Sequence, residues 1–166
     1  MTDISDFPSK LLMIFVLGYL ALQGKELSLP VSISNLCNLE TLVVSKVRST
    51  SIPPTIWKMV KLRHLRIGGE NDIEFTEGMY NDGFPSTLTN LQTISQVCPS
   101  SSLENVLAKT PNHRKLVLCV NSSRRQRFSS LCLDFLNNLE VLYLLNRHRY
   151  GQLNSFIGFT FPPNLK

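Results

Sequence analysis

The chain has 166 residues, 43% of them hydrophobic and only 17% charged, against about 25% charged in an ordinary soluble domain. That apolar content excludes a disordered tail and is enough to build a continuous core. Its 17 Lys plus Arg against 12 Asp plus Glu leave a formal charge of +5, a mild bias toward acidic partners. A nucleic-acid partner is not expected, because such binders cluster their charge on one face.

From the N-terminus, the first conspicuous feature is LLMIFVLGYLAL, Leu11 to Leu22, an uncharged run. Asp3 and Asp6 ahead of it do not suit the basic start of a signal peptide, and the run is shorter than the ~20 apolar residues that cross a bilayer. It is expected to form a buried strand with its neighbouring coil, and no membrane span is expected.

The end of that run opens a repeat. Leu-x-x-Leu-x-Leu occurs at Leu17, Leu20, Leu22, then as Leu39, Leu42, Val44 and as Leu62, Leu65, Ile67. It weakens at Leu91 and Ile94, returns as His113, Leu116, Leu118, and is complete again at Leu139, Leu142, Leu144. The starts, 17, 39, 62, 91, 113 and 139, are separated by steps of 22 to 29 residues, the spacing of leucine-rich repeats. Residues 1–16 read as part of a preceding repeat. The final FPPNLK places the start of a truncated one at 165–166, so the chain is expected to be a single domain of about six repeats, a piece of something longer.

In Leu-x-Leu the two leucines share one face of a strand, and the leucine three residues earlier packs under the turn that leads in. A repeat of ~23 residues cannot bury that face alone, so stability must come from neighbours stacked in parallel. The expected fold class is therefore α/β, a leucine-rich-repeat solenoid with short parallel strands on its concave side.

A second motif runs in phase: Leu29-Pro30-x-x-Ile33-x-x-Leu36-x-x-Leu39 and Ile52-Pro53-x-x-Ile56-x-x-Met59-x-x-Leu62. Apolar residues three apart, entered by a proline whose φ is already set, predict short helices or 3₁₀ turns on the convex side. Trp57 falls in this segment and is expected to pack there. Phe84-Pro85-x-x-Leu88-x-x-Leu91 shortens the same motif, after an insert from Gly68 to Gly83 that reads as a loop off the solenoid. Val120 to Ser130 reads as a second excursion.

Cys37, Cys98, Cys119 and Cys132 form no CxxC pair and no disulfide frame, and are expected as reduced thiols. This favours a cytoplasmic location, although Asn121-Ser122-Ser123 is a glycosylation sequon. Arg124, Arg125 and Arg127, and the group Arg147, His148 and Arg149, read as solvated loops. No phosphate loop, nucleophile elbow or metal spacing is found, and His64, His113 and His148 fall in separate repeats. Hence no catalytic residue, cofactor or metal is assigned, and the chain is not expected to be an enzyme.

What remains is surface. Residues beside the strand leucines project from the concave side, where solenoids bind partners. They are Tyr19, Ala21 and Gln23; Thr41, Val43 and Ser45; His64, Arg66 and Gly68; Lys115, Val117 and Cys119; and Val141, Tyr143 and Leu145. Their mixture of aromatic, aliphatic and basic groups suits a protein interface.

The segments LALQGKELSLPVSISNLCNLETLVV, IPPTIWKMVKLRHLRI, FLNNLEVLYL and FPPNLK make the chain resemble the C-terminal repeat region of plant intracellular nucleotide-binding leucine-rich-repeat disease-resistance proteins, most closely the late-blight resistance group of the nightshade family. The resemblance covers the chain from about Leu17 onward. It implies a role in plant defence, in which repeats hold a nucleotide-binding switch inactive and help detect pathogen molecules. The partners it implies are the nucleotide-binding and coiled-coil domains of a full-length receptor, and a pathogen effector or guarded host protein. The alternative is an extracellular receptor-type repeat domain, which would want paired capping cysteines and more sequons.

Overall fold

The computed structural model describes residues 16–25, 27–47, 50–69, 73–75, 87–97, 103–120, 131–146 and 158–165. Six strands form one parallel sheet: β1 (Tyr19–Gln23), β2 (Thr41–Val47), β4 (His64–Gly69), β6 (Thr93–Val97), β7 (Lys115–Val120) and β9 (Val141–Asn146), paired in that order. The register aligns the second leucine of each repeat, Leu20, Leu42, Leu65, Ile94, Leu116 and Leu142, in one line across the sheet. Strand order follows chain order because each repeat is one turn of a right-handed coil whose only unsatisfied edge is offered to the next turn.

The sequence period of three has a backbone cause. Ile33 N–H donates to Pro30 C=O, Leu36 N–H to Ile33 C=O and Leu39 N–H to Leu36 C=O, at 3.0, 3.1 and 3.0 Å. The same series links Pro53, Ile56, Met59 and Leu62. Each bond closes a tight turn, so every third side chain points inward, and Ile33, Leu36, Ile56, Met59 and Leu62 are all buried. Two 3₁₀ turns result, Val31–Asn35 and Pro54–Lys58, preceded by Pro30 and Pro53 at φ −72° and −67°. Thr55 Oγ1 donates to Val31 C=O at 2.6 Å and ties one turn to the other.

Among the described residues the convex side also holds one α-helix, α1 (Leu103–Ala108), and two small parallel pairs, which the sequence pattern did not foretell. β3 (Thr50–Ile52) pairs with β5 (Ile73–Phe75), and β8 (Leu131–Cys132) with β10 (Phe159–Thr160). β5 corrects the reading of Gly68 to Gly83 as a plain loop: the insert carries a strand that pairs with β3 and so satisfies backbone groups of both segments. Arg124, Arg125, Arg127, Arg147, His148, Arg149, Cys98, Phe84, Pro85 and the sequon at Asn121 lie outside the described residues, as does Leu11 to Phe15 of the apolar run.

The core runs lengthwise between sheet and turns. Leu20, Leu39, Leu42, Leu62, Leu65, Leu116, Leu118 and Leu139 are buried, while Leu17, Leu22, Leu142 and Leu144 are partly buried and packed against it. A buried leucine contributes about 2 kcal/mol relative to exposure, while ordering each residue costs at least about 1 kcal/mol. Three or four leucines in one repeat therefore cannot hold it folded alone, and stacking is obligatory. Trp57 packs against the core from the convex side, with the Lys109 ammonium 5.1 Å from its ring centre.

The fourth and fifth repeats keep register by unusual means. The pairing of β6 with β7 slips between Ser95 and Val97, and Gln96 sits at φ 65°. Gln96 is therefore bulged out of the leucine position and Val97 fills it, 1% exposed. In the fifth repeat His113 N–H donates to Thr110 C=O at 3.2 Å and Thr110 N–H to Leu107 C=O at 2.9 Å, which puts both polar side chains at inward positions, 0% exposed.

A row of asparagines joins successive repeats at the entry to the strands. Asn90 Nδ2 donates to Val60 C=O, Asn112 to Thr89 C=O, Asn138 to Pro111 C=O and Asn164 to Asn137 C=O, at 2.8, 2.8, 3.1 and 2.9 Å. Lys61 occupies the row in the third repeat and reaches Asn38 Oδ1 at 2.6 Å. Leu165 N–H bonds Pro162 C=O at 3.4 Å, the same turn that precedes β2, β4, β6, β7 and β9.

Candidate partner-binding surface

The register arranges the concave face as rows that run across the strands, with neighbours in a row about 4.8 Å apart. The first row is Tyr19, Thr41, His64, Thr93, Lys115 and Val141. The second is Ala21, Val43, Arg66, Ser95, Val117 and Tyr143. Gln23, Ser45 and Gly68 form one end of a third, and Cys119 and Leu145 pair at the other. Side chains alternate along each strand, so rows that belong to one face come together while the leucines between them go to the core.

Not all of these positions offer contact area. Tyr19, Tyr143 and Leu145 are 60%, 48% and 42% exposed, and Arg66 and Lys115 are exposed. Ala21 and Gln23 are exposed, while Thr41, Val43, Ser45, His64, Gly68 and Val141 are half-buried. Val117, by contrast, is 8% exposed and Cys119 only 1%. Val117 is floor, and Cys119 is interior.

The sequence pattern puts no fourth-repeat residue on the concave surface, because Gln96 stands where the strand leucine is expected. Thr93 and Ser95 nonetheless sit at its centre, two residues apart, on either side of Ile94, which was the signal available in the sequence. Their short side chains, with Gly68 beside them, leave a hollow of 480 Å³ between taller neighbours, among them Arg66, Lys115 and Tyr143. A methyl group on Gly68 would stand 3.1 Å from Gln96 Oε1, so glycine here makes room for the displaced glutamine.

The electrostatics of the face are one-sided. Lys115 Nζ lies 5.1 Å from the ring centre of Tyr143, a cation–π contact. His64 Nδ1 is 3.2 Å from Thr93 Oγ1. Its pKa is lowered, first by burial and then by the charges of Arg66 and Arg63, against the opposite pull of Glu40. Just outside the first row, Arg63 Nε meets Glu40 Oε2 at 3.8 Å and Arg114 Nη1 meets Glu140 Oε1 at 3.4 Å. Acids and their arginine partners are thus kept to the rim.

Among the described residues no three His, Cys, Asp or Glu side chains are grouped to hold a metal, and no helix is long and apolar enough to cross a membrane. Cys37 and Cys132 are free thiols. Cys132 Sγ lies 2.8 Å from Asp134 Oδ1, and its backbone N–H donates to Glu104 Oε1 at 2.7 Å.

Known proteins share both the pattern and the sequence. A late blight resistance protein homologue of Solanum demissum is 37% identical over 164 residues, which is 92% of this chain and 13% of that protein. A second from the same plant is 36% identical over 170 residues, 98% of this chain and 12% of its own length. A third is 37% identical over 163 residues, again 92% and 12%. The chain therefore spans only about an eighth of the length of these relatives. The family pattern described as "Leucine-rich repeat region" matches residues 8–166, in step with the strand-by-strand register, and the chain belongs to that family.

Proposed function

We propose that the chain is a protein-interaction module of a plant intracellular immune receptor, acting in the cytoplasm by binding and not by catalysis. One observation carries this reading: a concave sheet with exposed Tyr19, Tyr143, Arg66 and Lys115, in a chain whose relatives are late blight resistance protein homologues. Large aromatic and cationic side chains on a rigid, preformed surface are what strong protein contacts use.

In a receptor of that kind the repeats would touch the nucleotide-binding and coiled-coil domains at rest, and a pathogen effector or guarded host protein would favour the released arrangement. A ligand shifts such a balance only by its difference in affinity for the two states. The face would then contribute to both autoinhibition and recognition.

The test replaces Tyr19 and Tyr143 by alanine in a full-length receptor carrying this region, expressed in leaves. Altered co-precipitation with the nucleotide-binding domain, or altered cell death with or without a matched effector, is the expected result. Unchanged behaviour in both assays, at unchanged protein level, would sink the reading.

A further inference from the structure

We propose that the hollow at the centre of the concave face takes an aspartate or glutamate side chain from an extended acidic segment of a partner protein, held between Arg66 and Lys115. This rests on the concave face being the partner surface, and adds what that partner must carry.

Three observations point to a carboxylate. Arg66 stands on β4 and Lys115 on β7, with β6 between them, and on β6 the facing residues are the short Thr93 and Ser95. The two cations therefore stand on either side of β6, across a gap about 10 Å wide at the backbone, and both line the one hollow, which long basic side chains can close onto one small anion. Second, Lys115 is held against the Tyr143 ring, so part of the ordering cost of that ammonium is met before a ligand arrives. Third, no Asp or Glu occupies any concave position of the described strands, and the nearest acids, Glu40 and Glu140, pair with Arg63 and Arg114. Among the described residues no carboxylate reaches Arg66 or Lys115.

The flanks decide between classes of anion. Val43 lies beside Arg66 in the second row, and Tyr143 and Leu145 stand beyond Lys115, so apolar surface borders the cations on both sides. A nucleic acid needs a longer track of cations, because its affinity is built from several neutralised phosphates. Two cations set in apolar ground suit one carboxylate with an aliphatic or aromatic side chain on either side. The Ser95 hydroxyl on the floor supplies a donor for the same carboxylate.

The experiment uses the full chain and short fluorescent peptides that alternate Glu with Leu or Phe. Matched peptides with Gln or Lys in place of Glu serve as controls, beside a phosphoserine peptide and a single-stranded oligonucleotide. The expected result is binding of the Glu peptides at least about ten-fold tighter than the Gln peptides at low salt, with the preference reduced at high salt. Arg66→Glu and Lys115→Glu should each remove that preference, and the double variant should turn it toward the Lys peptides. Circular dichroism on each variant confirms that the sheet is intact.

A preference for Glu peptides that survives both charge reversals, no preference at all, or tighter binding of the oligonucleotide or phosphopeptide overturns the carboxylate site. The broader reading fails separately. If Tyr19→Ala abolishes receptor contacts while the charge reversals do nothing, the concave surface stands and only the acidic partner is lost.

Discussion

His113 Nε2 accepts the backbone N–H of Ile94 at 3.3 Å, from a position where the other repeats carry leucine. The ring is fully buried, and its Nδ1, which must then hold the proton of the neutral form, has no hydrogen-bond partner among the described residues. Burial pushes its pKa down to about 4, with the Lys115 backbone pulling weakly upward.

Acid should therefore weaken the fold. The folded ring resists protonation while the unfolded ring accepts it near pH 6.5, so the unfolded state binds more protons between those values. Stability is full above about pH 6.5, falls as pH drops toward 4 and levels off below, by roughly 3 kcal/mol from this group. Urea unfolding at a series of pH values measures it. His113→Leu removes the orphaned donor but also the acceptor of Ile94, so near neutral pH it should change stability by no more than about 1 kcal/mol. Its unfolding midpoint should lose most of the acid dependence, and a retained slope would show that other groups are responsible.

Position along the solenoid should grade the cost of losing a leucine. Leu65 is 1% exposed and flanked by strands on both sides, while Leu22 is only partly buried on β1. Leu65→Ala should cost about 3 kcal/mol and Leu22→Ala about 1 kcal/mol, because a cavity bounded by two packed neighbours cannot collapse. Equal losses in chemical denaturation would contradict the stacked-core account.

The asparagine row should show measurable coupling. Asn138 Nδ2 donates to Pro111 C=O at 3.1 Å and lies 3.3 Å from Asn112 Oδ1. Each single change to alanine should cost about 1 kcal/mol, and the double change less than the sum by about 0.5 kcal/mol. Strict additivity would mean that the two amides act independently.

Gln96 holds a left-handed backbone at φ 65°. Glycine adopts that region without penalty and a β-branched residue resists it. The expected order of thermal stability is Gln96→Gly at or above the native chain, and Gln96→Val about 2 kcal/mol below it. Val tolerated as well as Gly would remove the bulge from the account of how Val97 reaches the core.

Much of this molecule could be read in one dimension. Leu-x-x-Leu-x-Leu and the proline-led period of three report bonds and alternations between residues close in sequence, so the strands of the main sheet outside the fourth repeat, the proline-led turns and the inward leucines follow from the sequence. Tyr19, Arg66 and Tyr143 could be assigned to one face because side-chain alternation is a local rule. Register across a slip is not local. Only the pairing of β6 with β7 revealed that Gln96 is expelled and Val97 admitted, which put Thr93 and Ser95 at the centre of the concave surface. The strand hidden in the insert and the placement of Arg66 and Lys115 on either side of β6 likewise depend on neighbours 20 or more residues away in the chain. Stacking decides those features, because the energy that selects them exists only once two repeats touch.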